Sequence, residues 1–74
     1  MIMRRKPRPL SIGKVASRAT AMQSHELWTW AEAETMGVGA AFDAWRSGNG
    51  PYEEIDRCLQ ALGALCSELD RRSR

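Results

Sequence analysis

The chain has few of the residues that most catalytic and metal-binding sites need. Its 74 residues include one histidine, His25, and two cysteines, Cys58 and Cys66. A structural zinc site takes four ligands of these types, so we predict no metal site. Acidic residues are plentiful, but they are spread over predicted solvated faces and no side chain resembles an activated nucleophile. We therefore predict that the protein is not an enzyme and uses no cofactor.

Long apolar runs are also absent. No stretch approaches the roughly 20 apolar residues of a membrane span, so we predict no membrane association. The N-terminus lacks the apolar segment of a secretory signal. Its arginine-rich, acid-free character is shared with transit peptides, but Pro7 and Pro9 interrupt any helix there. We expect a cytoplasmic protein.

The two cysteines are eight residues apart in a predicted helix, which separates their backbones by roughly 12 Å. A disulfide requires Cα atoms within roughly 7 Å, so Cys58 and Cys66 are not expected to bridge each other. We interpret both as small core residues on one apolar face, in a reducing compartment. An intermolecular disulfide is the alternative.

Acids are missing from residues 1–23, which carry six basic side chains, whereas residues 24–74 carry nine acids and five arginines. The net charge of +2 thus combines a segment of charge +6 with one of −4. Like-charged blocks at a terminus usually stay solvated and act as interaction arms. We predict a disordered basic tail over residues 1–10 and a single helical domain over residues 11–74.

The apolar spacing predicts an all-α fold. Residues 12–22 show a weak helical pattern that Ser11 could cap, and whether this segment packs as a helix is left open. A long helix is expected over about 25–46, with Ser24 as its N-cap. Its apolar stripe contains Leu27, Ala31, Val38, Phe42 and Trp45.

A turn at residues 47–50 precedes a second long helix over about 51–71, with Pro51 in its first position. One face of this helix contains Ile55, Cys58, Leu59, Leu62, Leu65, Cys66 and Leu69. The other contains Arg57, Gln60, Ala64, Ser67, Glu68 and Arg71. Because the connection is short, we expect an antiparallel helical hairpin.

Burial between two helices does not offset the entropy of ordering them, so a third surface is needed. This third surface is provided by residues 12–22 packed across the hairpin, by a second copy of the chain in a homodimer, or by a partner protein. Gly37 and Gly39 are not expected to form a phosphate-binding loop, because no strand precedes them and no lysine follows. They indicate either close approach of another helix or a kink.

The aromatic residues are the main candidates for binding a partner. Trp28 and Trp30 flank Leu27 on opposite sides, so one partner helix cannot bury both. Tryptophan and tyrosine dominate binding hot spots, although the same residues also fit the rim of a small core. The predicted partner-binding residues are Trp28, Trp30, Glu32, Met36, Asp43, Trp45 and Tyr52.

A small DNA-binding regulator is the alternative function. Arg4, Arg5, Lys6 and Arg8 could contact phosphates. The arm contains no aromatic residues to stack on bases, and the acidic body would repel DNA. We therefore expect direct nucleic-acid binding to be the less favoured of the two functions.

Residues 27–69 resemble the QseM-type antiactivators, small proteins encoded on integrative and conjugative elements of rhizobia and related proteobacteria. The resemblance is carried by Leu27-Trp-Thr-Trp-Ala-Glu, by Gly39-Ala-Ala-Phe-Asp-Ala-Trp-Arg-Ser-Gly-Asn-Gly-Pro and by the leucine-rich last helix. It implies a helical protein that sequesters transcriptional activators of element excision and transfer. Those partners would be a LuxR-type quorum-sensing regulator and a DUF2285-containing activator.

Overall fold

The structure, a computed structural model, describes residues 12–74, and these form three helices without a strand. They are α1 (Ile12–Ala21), α2 (Ser24–Arg46) and α3 (Tyr52–Ser73). The prediction of an all-α fold is confirmed. The predicted disordered tail and the Ser11 cap lie outside the described residues. Within the described part, no helix is both long and apolar enough to cross a membrane.

The start of α2 differs from the prediction by one residue. Gln23 has an extended backbone, and its N–H donates to the Glu26 carboxylate at 3.2 Å. Glu26 thus closes the first turn as the acidic member of a capping box does. The predicted N-cap, Ser24, is the first helical residue instead, and its hydroxyl accepts a hydrogen bond from Arg72 at 3.2 Å.

The turn between α2 and α3 follows the predicted chemistry. Gly48 has φ of +80°, a left-handed conformation that glycine adopts without steric cost. A Cβ added to Gly50 would lie 2.9 Å from the Cβ of Ala44, so this position has no room for a side chain. Pro51 is extended and precedes α3, so its predicted place inside the helix is wrong by one residue.

Contacts along α2 and α3 show that the two helices run in opposite directions. Ser24, at the start of α2, contacts Arg72, at the end of α3. Near the middle of α2, a Cβ built on Gly37 would lie 3.4 Å from the Cys58 sulfur. The interpretation of Gly37 as a site of close helix approach is therefore confirmed. Gly39 has open space beside it.

The core joins all three helices, and α3 packs against both of the others. Val15 and Ala19 of α1 are buried against α3, so α1 supplies a third surface. The central buried cluster consists of Val15, Ala19, Leu27, Ala31, Ala61, Leu65 and Leu69. Ala41, Ile55 and Cys58 are also buried, toward the turn end of the α2–α3 pair.

Four residues predicted for the apolar stripes are exposed. Phe42 and Trp45 each keep 46% of their surface accessible, Leu59 keeps 49%, and Cys66 is also exposed. These residues occupy the edges of the stripes or the last turn of α2, where no third helix of the described chain covers them. The predicted burial of both cysteines is therefore right for Cys58 and wrong for Cys66.

Two residues predicted for the polar face of α3 are not solvated. Ala64 is partly buried and packs against the central cluster, and Glu68 is 7% exposed. Both lie on the flank of α3 that α1 covers. The sequence pattern of α3 alone contained no information about the position of α1.

Candidate protein-binding face

Exposed apolar side chains form two rows, one on α2 and one on α3. Trp28 and Phe42 are fourteen residues apart, and Tyr52, Leu59 and Cys66 follow at intervals of seven. Seven residues are nearly two helical turns, so each set lies along one side of its helix, with a drift of about 20° per interval. Trp28 is 58% exposed and Tyr52 is 57% exposed.

The two rows meet at both ends. At one end, Trp28 and Cys66 line an open hollow of about 240 Å³ together with Leu69, Asp70 and Ser73. At the other, the Trp45 ring lies 6.1 Å from the Phe42 ring and 6.1 Å from the Tyr52 ring, edge-on to the latter. We name this surface the aromatic face: Trp28, Phe42, Trp45, Tyr52, Leu59 and Cys66.

Helix α1 lies on the opposite side of the α2–α3 pair. Ala64 packs against the central cluster that contains Val15 and Ala19 of α1. Because residues two apart in a helix point roughly 200° apart, Cys66 is turned away from α1. Trp28 and Trp30 are also two residues apart. Trp30 packs against that cluster, so Trp28 is turned away from it. Among the described residues, no helix covers the aromatic face.

The border of the aromatic face carries more acids than bases. Glu32 is one turn beyond Trp28, Asp56 is three residues before Leu59, and Asp70 lines the hollow. Two arginines are also present, each paired within its own helix. Arg46 lies 3.3 Å from Asp43 and 6.0 Å from the Phe42 ring centre, and Arg74 lies 2.7 Å from Asp70.

The structure brings three of the seven predicted binding residues together on this face: Trp28, Trp45 and Tyr52. Trp30 lies on the side of α1, half-buried, and its Nε1–H donates to Glu34 at 3.3 Å. Met36 is 76% exposed but lies nine residues after the buried Leu27, half a turn around α2. Glu32 and Asp43 are exposed on the outer flank of α2.

Three residues of the face were not predicted to bind a partner, namely Phe42, Leu59 and Cys66. All three fit an apolar stripe, which predicts burial in the core. The seven-residue interval that links Tyr52, Leu59 and Cys66 is the signal that could have separated them. It marks a row along α3 distinct from the one containing Ile55, Leu62 and Leu69, although the two rows are adjacent.

A buried ionic cluster lies at the far end of α3. Glu68 accepts hydrogen bonds from Arg71 and from Arg72, the latter at 2.8 Å. These bonds lower the pKa of Glu68 to about 2. Arg72 also donates to the carbonyl oxygens of Ala19 and Thr20, at 3.0 and 3.4 Å. The cluster therefore joins the C-terminal ends of α1 and α3.

Two further side chains in the described part of the chain, Cys58 and Glu54, have shifted pKa values. Burial raises the pKa of the Cys58 thiol, which disfavours the reactive thiolate. A hydrogen bond from Arg57 lowers the pKa of Glu54, on the exposed first turn of α3. Within the described residues, no three His, Cys, Asp or Glu side chains are grouped closely enough to hold a metal ion.

The chain was compared with protein-family models, curated proteins and solved structures, and none of them matches it.

Proposed function

We propose that this protein is a protein-binding transcriptional antiactivator, which sequesters an activator rather than catalysing a reaction. The observation that carries the proposal is the aromatic face. A surface with two tryptophans and a tyrosine that no described helix covers has the composition of a binding hot spot. Exposed apolar patches of this kind commonly mark protein interaction sites.

The resemblance to QseM-type antiactivators supplies the class of partner. On that basis, the partners are a LuxR-type quorum-sensing regulator and a DUF2285-containing activator of conjugative-element excision and transfer. Binding would hold the activator in an inactive complex in the cytoplasm. Small size and a rigid helical surface suit a protein whose only task is to occlude another protein.

The test uses a reporter driven by each candidate activator, together with co-purification on the tagged full chain. We expect the protein to silence the reporter and to retain the activator. Trp28→Ala should weaken capture more than tenfold, because truncating a hot-spot tryptophan commonly costs at least about 2 kcal/mol. Met36→Ala is the matched control, since Met36 is exposed but lies off the aromatic face.

Different results would contradict the proposal. Normal reporter output with both activators and no co-purified activator would do so. Retention on a DNA column that collapses with modest salt, and is lost when Arg4, Arg5, Lys6 and Arg8 are neutralised, would favour the DNA-binding alternative.

A further inference from the structure

We infer that the aromatic face receives an amphipathic helix of the partner whose apolar side chains are flanked by lysine or arginine. This inference rests on the proposed function, because it names the chemistry of the protein that is captured. Three features of the face carry it: the shape of the surface between α2 and α3, its length, and the charge of its border.

The shape selects a helix. The described residues form helices only, so they offer no sheet edge to which an extended peptide could add a strand. The exposed rows on α2 and α3 lie beside the line where the two helices meet. A third helix with an apolar stripe packs along such a surface in the helix-in-groove mode.

The length sets the minimum size of the partner helix. Trp28 and Phe42 are fourteen residues apart on α2, which is roughly 21 Å of helix. A partner helix that contacts both ends of the face thus needs about four turns. The open hollow beside Trp28, of about 240 Å³, is large enough for one leucine or phenylalanine side chain.

The charge of the border selects the flanking residues. The acids Glu32, Asp56 and Asp70 lie at the edges of the face, and Asp43 lies farther out on α2. Arg46 and Arg74 are the bordering bases, and each is already paired with one of these acids. The border is thus net negative, as are residues 24–74 overall. Positive flanks on the partner would be attracted and negative flanks repelled.

The experiment uses the full chain and three designed helical peptides of about 18 residues, long enough for the four turns required. Two peptides share one leucine stripe and differ in having lysine or glutamate flanks. The third keeps the lysines and replaces the leucines with serine. Binding is followed by NMR on the three indole N–H signals, since Trp28 and Trp45 lie on the face and Trp30 does not.

We expect the lysine-flanked leucine peptide to shift the Trp28 and Trp45 signals and to leave Trp30 nearly unchanged. Its affinity should be at least tenfold higher than that of the glutamate-flanked peptide and should fall with added salt. Leu59→Ser should weaken binding at least tenfold, whereas Met36→Ser should not. Neither residue belongs to the central cluster, and circular dichroism of both variants checks that the helices are retained.

Several outcomes would overturn the inference. Equal affinity for the lysine-flanked and glutamate-flanked peptides would show that charge does not select the partner. Concentration-dependent shifts of Trp28 and Trp45 without peptide, with a dimer in sedimentation, would assign the face to a second copy. Shifts of the same two signals on deleting residues 1–9 would assign the face to the chain's own basic arm.

The reporter separates this inference from the proposed function. If the protein silences the activator and Leu59→Ser silences it equally well, the antiactivator function stands and the aromatic face is not the site. If the protein neither captures nor silences an activator, the proposed function fails. Selective binding of the lysine-flanked peptide would still support the face as a receptor for basic helices.

Discussion

At the scale of single residues, Glu68 shows how a charged side chain can belong to a small core. It is 7% exposed, yet Arg71 and Arg72 both donate to its carboxylate. A buried carboxylate is tolerated when its oxygen atoms are fully hydrogen-bonded. Those bonds favour the ionised form, which is why the pKa of Glu68 falls from its ordinary value of 4.5 to about 2.

The lowered pKa of Glu68 predicts a pH dependence of stability. A carboxyl whose pKa is lower in the folded state stabilises the fold fully above pH 4.5, and this contribution is lost as the pH falls toward 2. Glu68→Gln should therefore lower the thermal midpoint above pH 4.5, and the difference from the wild type should shrink toward pH 2. Thermal melts followed by circular dichroism across this range measure it.

Glu32→Gln is the control for Glu68, because Glu32 is exposed on α2 and the structure shows no hydrogen bond to its carboxylate among the described residues. Its midpoint should follow that of the wild type at each pH. If the thermal midpoint of Glu68→Gln differed from that of the wild type by the same amount from pH 2 to pH 7, the arginines would not be what holds the Glu68 carboxylate in its ionised form.

Two glycines should respond in opposite directions to the same substitution. Gly39→Ala adds a methyl group to open space in a helix, where glycine costs up to about 1 kcal/mol relative to alanine, so stability should rise. Gly50→Ala places a Cβ 2.9 Å from that of Ala44, so stability should fall by about 1 kcal/mol or more. Urea unfolding measures the free energy of unfolding of both variants. A change of the same sign in both would contradict this prediction.

At the scale of elements, α1 is held by more than its apolar contacts. It has only ten residues, too few to be stable as an isolated helix. Val15 and Ala19 bury its inner face, and Arg72 of α3 binds the carbonyls of Ala19 and Thr20 at its end. The Ala19 carbonyl also accepts from the Met22 N–H at 3.3 Å, so Arg72 adds donors from another helix to carbonyls at the C-terminal end of α1.

Arg72→Ala should loosen α1 more than the middle of α2 or α3. Hydrogen bonds to a charged donor contribute about 1.5–3 kcal/mol each, and the substitution removes the bonds to the end of α1 together with those to Ser24 and Glu68 at the ends of α2 and α3. Amide hydrogen exchange should accelerate more in α1 than in the middle of α2 and α3. Arg74→Ala is the matched control, since Arg74 is exposed and contacts Asp70 of its own helix. Equal acceleration in all three helices would show that Arg72 stabilises the fold as a whole.

At the scale of the whole molecule, α3 is the central element and the two other helices pack on different flanks of it. In this arrangement α1 covers one side of the α2–α3 pair, and no helix of residues 12–74 covers the other side, where the aromatic face lies. The core contacts with α1 and the proposed binding surface therefore lie on opposite sides of the same two helices. We therefore expect substitutions on the aromatic face to leave the central cluster in place.

Deleting residues 1–21 tests the structural role of α1. The deletion uncovers part of the central cluster, and removes a buried Val15 worth about 1.5–3 kcal/mol. In a domain this small, a loss of about 2 kcal/mol lowers the thermal midpoint by roughly 10 °C. Deleting residues 1–9 leaves α1 complete and should not change the midpoint. Equal midpoints for the two deletions would show that α1 contributes no stability.

The sequence determined the all-α fold class and the approximate ends of α2 and α3. The reasons are local: apolar spacing near the helical period, a glycine-rich turn that needs a positive φ at Gly48, and acids at the start of α3. It also placed Trp28 and Trp30 on diverging sides of α2, because that divergence follows from the helical period alone. Each of these features depends only on residues that are close to one another in the sequence.

Tertiary packing decided which apolar side chains are buried. Leu59 and Leu62 lie near each other on one stripe of α3, but Leu62 packs against the central cluster and Leu59 does not. The difference arises because Leu62 lies nearer the centre of the packed stripe, in one row with the buried Ile55 and Leu69, whereas Leu59 lies at the edge of that stripe. Glu68 became buried because its arginine partners and α1 meet at the end of α3. Neither outcome is encoded in the period of a single helix, because both depend on where a distant segment packs.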